Sequence, residues 1–599
     1  MNISTQPGEG NSKFARDAWL RALAATASIA EHGDTLPIVI DRLAARFGDA
    51  PALIDSETEM SFRALGCRAN QYARWGLSQG LSAGDAVALM MNNCAEYVAI
   101  WLGLTRIGAV VALVNSQLSG DALLHSIKVA NPKSVIAGAD LAARVGEIRS
   151  RLPAIACFTH GGAIENFAPL STLIATLPGE SLQPAESAPP SIDATALYIY
   201  TSGTTGLSKA AKVSHYRLMQ WSYWFAGMLD TTAQDRMYNC LPLYHSVGGV
   251  VATFAPLVNG GAVVIRPRFS ASEFWRDLRA QRCTLFQYIG ELCRYLVNSP
   301  HQAIETEHTL RMACGNGLRP EVWDGFQARF RIPRILEYYA STEGNFSLYN
   351  CEGRIGAIGR IPPFLANRLP VALLRFDVDA AEPWRNSEGR CERCAANEVG
   401  EAVGLIPSDG VQRGGRFEGY ADPEASARKV LRNVFKDGDA WYRTGDLMRR
   451  DEHGFFYFVD RVGETYRWKG ENVSTAEVLT ALTATRGVLE GVVYGVAVPG
   501  ADGRAGMAAL VVGKEFDLVE FRRGIAERLP AFARPVFLRL IRSLEATGTF
   551  KPRKQDLAAA GFDPSRVSDP LFFDDARAAA YVPLGGAIFA DILAGAIRI

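Results

Sequence analysis

The chain has 599 residues, 48% apolar and 21% charged, with 63 basic residues balanced by 63 acidic ones. That length excludes a single hydrophobic core and implies about three to five domain-sized units of ordinary globular composition. A formal net charge of zero excludes the basic excess that marks a nucleic-acid partner, so none is expected.

Residues 14–30 are alanine-rich, but Arg16, Asp17 and Arg21 interrupt any apolar core. The segment therefore reads as an amphipathic helix carrying Phe14, Trp19, Leu20 and Leu23 rather than as a secretory signal. The pattern then alternates: strand over 86–91, helix over 95–105, strand over 109–114, helix over 120–129, strand over 134–137. The long apolar run 97–114 is broken by Gly103, Arg106 and Gly108 and falls short of a membrane span. A Pro/Ser/Ala-rich stretch, 183–193, separates this region from a second one. There the pattern predicts strands over 261–265, 284–288, 310–314 and 334–339, with helices over 272–281, 291–298 and 320–330. Short β-branched runs separated by ten-residue helices mean βαβ units and largely parallel sheets. From about residue 399 the texture becomes strand-rich with glycine turns, and a domain junction is expected near 460–463, where Gly463 follows a strand-like run. Residues 516–557 return to mixed helix and strand, and no short repeat indicates a solenoid. The ten cysteines are scattered, with only Cys391 and Cys394 close together. No second pair or nearby histidine completes a zinc site, and the spacing reads as reduced thiols in an intracellular protein.

Between the two α/β regions stands 198–209, YIYTSGTTGLSK. An apolar strand opens into a loop holding Tyr200, Thr201, Ser202, Thr204, Thr205, two glycines (Gly203 and Gly206) and Lys209. Backbone N–H groups, hydroxyls and an ammonium presented together make a phosphate grip, with glycine allowing close approach. The spacing is not that of GxxxxGK[ST]; alone, the stretch is also compatible with a polar linker. Five further clusters follow. Pro242-Leu-Tyr-His245-Ser246 precedes Gly248-Gly249, with His245 expected at a strand end and no nucleophile elbow nearby. Gly315-Asn-Gly317 ends a strand, where open α/β sheets bind ligands. In 337–345, EYYASTEGN, Tyr338 and Tyr339 offer an aromatic face, and Thr342 and Glu343 offer oxygen ligands to a hard cation. Asp446, in 442–446 (YRTGD), could accept from a diol, and Arg461 could pair with a phosphate. In 547–551, TGTFK, a glycine-borne turn carries Lys551.

Taken in order, TSGTTGxxK, YxxTEGN, YRTGD, the Asp460-Arg461 pair and TGTFK strongly resemble the adenylate-forming, or acyl-activating, enzyme superfamily. YIYTSGTTG, EYYASTEGN, RWKGENVST, LPAFARPVFLR and TGTFK are similar to its fatty-acid transport protein and very-long-chain acyl-CoA synthetase branch. The similarity runs from about residue 36 to 584. It implies a multidomain α/β protein with a large N-terminal domain of two α/β subdomains plus a β-rich subdomain, and a small mobile C-terminal α+β domain. The implied division is an extension at 1–35, the AMP-binding domain at 36–462 and the small domain at 463–599, turning about Gly463 between two half-reactions. The implied activity is ATP- and Mg²⁺-dependent conversion of a long- or very-long-chain fatty acid into an acyl-adenylate, then a CoA thioester. Two alternatives share the resemblance: a bile-acid or steroid side-chain CoA ligase, and a protein that captures fatty acid at a membrane. Transfer to a carrier-protein thiol is a further variant.

The resemblance also implies roles. Thr201, Ser202, Gly203, Thr204, Thr205, Gly206 and Lys209 hold the β- and γ-phosphates; Tyr339 packs on adenine; Thr342 contacts the α-phosphate; Glu343 holds Mg²⁺. Asp446 binds ribose with Arg461 beside it, Lys551 bridges carboxylate and α-phosphate, and His245 lies near the acyl and thiol paths. Arg467 and Lys469 serve the second step. Ser208 stands where proline is usual and Ala210 where glycine is frequent, departures that affect loop stiffness more than charge. The expected location is cytoplasmic, with peripheral contact at the inner face of the membrane left open, as are chain-length preference and oligomeric state.

Overall fold

The structure is a computed structural model that describes residues 9–152, 155–202, 208–377, 380–408, 415–462, 465–468, 471–499, 501, 503–544, 554–597 and 599. It divides into two compact units, one of residues 1–369 with 405–431 and one of residues 370–404 with 432–599.

The first unit holds two sheets. One contains β3 (Ala86–Met90), β4 (Val110–Leu113), β5 (Ser134–Gly138), β6 (Ala156–His160), β7 (Ala168–Pro169), β8 (Thr195–Ser202) and β9 (Ser208–Ser214). Their spatial order is β7-β6-β5-β3-β4-β8-β9, and all neighbours are parallel except the β8–β9 hairpin. The other contains β1 (Pro51–Ile54), β2 (Glu59–Ser61), β10 (Arg236–Asn239), β11 (Ala262–Ile265), β12 (Leu285–Ile289), β13 (Met312–Asn316), β14 (Ile335–Ala340), β15 (Ser347–Asn350) and β16 (Gly359–Arg360). Its parallel centre runs β14-β13-β12-β10-β11-β1, with antiparallel strands at both ends. Every residue of β3, β4, β5 and β11 is buried, which is why these strands read as unbroken apolar runs: helices cover both faces.

The chain does not divide at 183–193 as its composition suggests. β1 and β2 leave the first region to pair beside β11, while β8, beyond the stretch, completes the first sheet on β4. Sheet membership follows side-chain fit between strands and not their order along the chain. The helix Glu9–Thr26 belongs to the core. Trp19 is 1% exposed and packs edge-on against Trp224 and Tyr349, with ring centroids 5.7 and 5.4 Å away. Among the described residues no helix is long and apolar enough to cross a membrane.

The second unit contains an antiparallel group built on Val371–Asp377, Val399–Leu405, Ala440–Arg450 and Phe455–Arg461, and a five-stranded sheet. That sheet sets Val488–Ala497, Arg504–Val512, Phe537–Leu540, Leu571–Asp575 and Ala580–Pro583 side by side in that order. Its core, around Val492, Leu510, Phe521 and Phe573, is its own.

Candidate functional site

The site in the first unit begins with β8. Ala196, Leu197 and Ile199 are buried and lock the strand onto β4, so the chain emerges at the carboxyl end of a parallel strand, where open sheets bind ligands. β9 returns antiparallel, pairing Thr201 with Lys209 and Ser202 with Ser208. Directly opposed residues share a face, so the Thr201 hydroxyl and the Lys209 ammonium project together. Gly203, Thr204, Thr205 and Gly206, and the Ser202 side chain, lie outside the described residues.

The Lys209 Nζ stands 5.7 Å from the ring centroid of Tyr420. Tyr420 is 2% exposed, and its hydroxyl donates to Glu343 Oε1 at 2.8 Å. The Thr201 side chain, close to the same phenol, acts in the opposite and weaker sense, favouring its ionised form. Burial, and then the neighbouring Glu343 carboxylate, push this phenol well above its ordinary range, so it remains a donor at every physiological pH. One buried ring thus stands beside Thr201 and Lys209 of the hairpin and Glu343 beyond β14, two separate stretches of chain. Tyr420 escaped the sequence reading. It lies 77 residues beyond Glu343, and nothing in the spacing of 418–423, EGYADP, distinguishes it from a turn.

Glu343 and Thr342 follow the end of β14. Thr342 Oγ1 and Ser246 Oγ are hydrogen-bonded at 3.1 Å. Arg217, 6% exposed, donates to the Thr342 carbonyl at 3.1 Å and to the Arg416 carbonyl at 2.7 Å. Its charge is met by Glu418 at 3.5 Å, which accepts from the Ser214 amide and hydroxyl at 2.7 and 2.6 Å. Ser214 caps the helix His215–Leu229. Arg217 therefore fixes both the Thr342 wall and the segment leading to Tyr420, a second residue the sequence reading missed.

His245 lies beyond the end of β10 in the turn 242–246, not at the strand end itself. Its ring meets Tyr244, centroids 4.5 Å apart, and its carbonyl accepts from the Gly249 amide at 2.7 Å. A Cβ on Gly249 would stand 2.0 Å from the Leu243 carbonyl oxygen, so only glycine lets the turn fold this tightly. Tyr339, near the end of β14, has its ring 6.0 Å from that of Phe346. Tyr338 offers no aromatic face to a ligand, because it is buried against Phe225 with centroids 4.8 Å apart. Behind Tyr338, fully buried Glu337 accepts from the Gly317 and Leu318 amides at 2.5 and 3.1 Å and from the Tyr288 hydroxyl at 2.5 Å. Burial outweighs these donors and raises its carboxyl to about 8.

In the second unit Asp446 and Arg461 face each other across antiparallel strands, with Nε to Oδ1 at 3.4 Å. Asp446 is 7% exposed, and its amide donates to Thr444 Oγ1 at 3.0 Å. These residues thus form an ion pair across the antiparallel ladder. Asp460, also buried, accepts from the Thr475 amide at 2.6 Å. Lys551, Gly463 and Lys469, and the Arg467 side chain, lie outside the described residues.

No group of three or more His, Cys, Asp or Glu side chains that could hold a metal occurs among the described residues. One carboxylate, Glu343, with the Thr201 and Thr342 hydroxyls nearby, is a hard-oxygen set of low ligand count. That fits Mg²⁺, which keeps waters and substrate phosphates as ligands and does not require a protein cage.

A model of the AMP-binding enzyme family matches residues 40–369. Long-chain fatty acid transport protein 1 of Mus musculus is 40% identical over 570 residues, covering 94% of this chain and 88% of its own. A medium/long-chain-fatty-acid–CoA ligase of Mycobacterium tuberculosis is 37% identical over 543 residues, covering 90% and 88%. Among solved structures, an anthranilate CoA ligase in complex with anthranoyl-AMP superposes with a TM-score of 0.75 at 19% identity, over 88% of this chain and 97% of its own. An ATP-bound MatB from Rhodopseudomonas palustris gives 0.72 at 23% identity, over 87% and 98%.

Proposed function

Because this chain belongs to the AMP-binding enzyme family, in the group that includes the long-chain fatty acid transport proteins, we propose that it is an AMP-forming fatty acid–CoA ligase acting on long- or very-long-chain acids. A fatty carboxylate oxygen attacks the α-phosphorus of ATP, pyrophosphate leaves, and the CoA thiol then displaces AMP from the acyl-adenylate. The observation that carries this reading is the convergence of Thr201, Lys209 and Glu343 on Tyr420. Hydroxyls, a cation and a carboxylate gathered around one ring suit a triphosphate with its metal ion.

The first step brings two anions together at phosphorus, and that repulsion is its chief obstacle. Lys209 and the Thr201 hydroxyl offset charge on the β- and γ-phosphates, and Thr342 contacts the α-phosphate. Preorganised donors of this kind contribute about 2.7–4 kcal/mol each. Glu343 would hold Mg²⁺, with Tyr420 fixing its orientation. When bound, that ion supplies charge neutralisation on the phosphates. Tyr339 packs on adenine, and Asp446, oriented by Arg461, accepts from the ribose hydroxyls. Lys551 bridges the attacking carboxylate and the α-phosphate, and His245 flanks the acyl and thiol paths. In this reading residues 36–462 form the adenylation domain and 463–599 the small domain that carries Lys551, moving between the half-reactions.

The transport names of the relatives favour a second description of the same chemistry. Thioesterification at the inner face of a membrane traps the acid, because CoA holds it in water. The test is ATP-dependent acyl-CoA formation over saturated acids of eight to twenty-six carbons and sterol side-chain acids. Turnover concentrated on the long saturated acids is expected. Turnover on sterol acids alone would replace the fatty-acid reading, and thioester found only on a carrier protein would replace CoA.

A further inference from the structure

The hairpin β8–β9 is held from outside by one helix, Gly120–Ala130, at three points. The Tyr200 hydroxyl donates to the Ser126 carbonyl at 2.6 Å. His125 Nε2 lies 3.0 Å from the Ser208 carbonyl; a carbonyl only accepts, so Nε2 carries the proton. Ser126 Oγ lies 3.0 Å from Ser208 Oγ. The Ser126 hydroxyl has one proton and gives it to the Ala122 carbonyl at 3.0 Å, so Ser208 is the donor of the pair and Ser126 its acceptor. Ser126 is fully buried and Tyr200 nearly so. Burial also holds the Tyr200 phenol above its ordinary range, which keeps it a donor.

Two adjacent residues of one helix therefore grip the side chain and the main chain of the same residue, Ser208. That residue pairs with Ser202 at the end of the described hairpin, next to the glycine-containing stretch 203–206. A proline at this position would fix φ near −65° by its ring. Serine leaves φ free, and here the helix supplies the missing constraint.

We propose that Ser126 and His125 are positioning residues for ATP, acting through Ser208. The helix Gly120–Ala130 is the strut that holds the hairpin strands bearing Thr201 and Lys209, replacing a covalent restraint with hydrogen bonds. This inference rests on the phosphate-holding role assigned above to Thr201 and Lys209.

The experiment compares S126A, S208A, H125A and S208P with the unmodified protein. Each is assayed for the KM of ATP and of the acid in pyrophosphate exchange, and for the Kd of ATP by calorimetry. S126A, S208A and H125A raise the ATP values about three- to tenfold, as expected for loss of one hydrogen bond at a fixed site, and leave the KM of the acid unchanged. S208P lacks the hydroxyl but restores the backbone constraint, so its ATP affinity stays near that of the unmodified protein. A merely structural role would lower both substrates' affinities and would not be rescued by proline. Unchanged ATP Kd in S126A and S208A, or S208P as weak as S208A, overturns the proposal. Should buried Ser126 not tolerate replacement, S208A and S208P at the half-buried partner carry the same test. If the unmodified protein binds ATP but exchanges no pyrophosphate with any acid, the assigned reaction fails while the Kd comparison still decides the strut.

Discussion

Tyr420 carries the most at the scale of single residues. Its hydroxyl is the donor to Glu343 Oε1, and a hydrogen bond to a charged group contributes about 1.5–3 kcal/mol. The variant Y420F keeps the ring beside Lys209 and removes only that donor. It is expected to raise the KM for ATP at limiting Mg²⁺ by about tenfold, consistent with the lower half of that range, with the KM for CoA unchanged. Initial rates over a Mg²⁺ series measure this, and an unaltered Mg²⁺ dependence would remove Tyr420 from the site. Glu337 gives a pH prediction. Burial raises its carboxyl from 4.5 to about 8, so between those values the folded chain holds a proton that the unfolded chain has lost. Stability from this group is therefore full below about 4.5 and declines as pH rises toward 8. E337Q keeps the shape without the titration and should flatten that decline in denaturant midpoints from pH 5 to 8; a slope equal to that of the unmodified protein would contradict the assignment. Thr201, Lys209, Thr342 and Glu343 were legible as chemistry because hydroxyl, lysine and carboxylate types cluster in sequence. Tyr420 and Arg217 were not, since each acts on residues 77 or more positions away.

At the scale of elements, periodicity did well where strands are buried on both faces. The strand expected over 86–91 is Ala86–Met90, the helix over 95–105 is Ala95–Arg106, and the helix over 320–330 is Pro320–Arg329. What periodicity could not supply was partnership. The crossing of β1 and β2 into the second sheet depends on tertiary fit, and no local signal records it. Helix contacts are similar. A Cβ on Gly227 would lie 2.6 Å from both Cα and N of Ala22, so the helices Glu9–Thr26 and His215–Leu229 touch backbone to backbone. In an exposed helix Gly→Ala stabilises by roughly 0.5–1 kcal/mol. Here the obstacle is main chain that cannot swing aside, and overpacking of this kind costs about 1–3 kcal/mol, so the clash wins. G227A should lower the midpoint of the first urea transition; an equal or higher midpoint would show that the N-terminal helix is not held this closely.

For the molecule as a whole, the proposed function divides labour between the two half-reactions. Lys551 is assigned to adenylation alone. K551A should therefore reduce acyl-AMP formation by at least a hundredfold, the scale of one electrostatic donor at a reacting centre, while thioester formation from supplied acyl-AMP changes little. Single-turnover assays of each half-reaction separate the two, and equal loss in both would refute the division. Residues 370–404 and 405–431 are neighbours in the chain yet fall to different units, because chain proximity does not decide which core a segment completes.

The most direct measurement is exchange of labelled pyrophosphate into ATP by the purified, folded protein, without CoA, over a series of fatty acids. The account predicts exchange that requires a long-chain acid and Mg²⁺ and disappears in K551A. Folded protein that binds ATP yet exchanges no label with any lipid acid would contradict it.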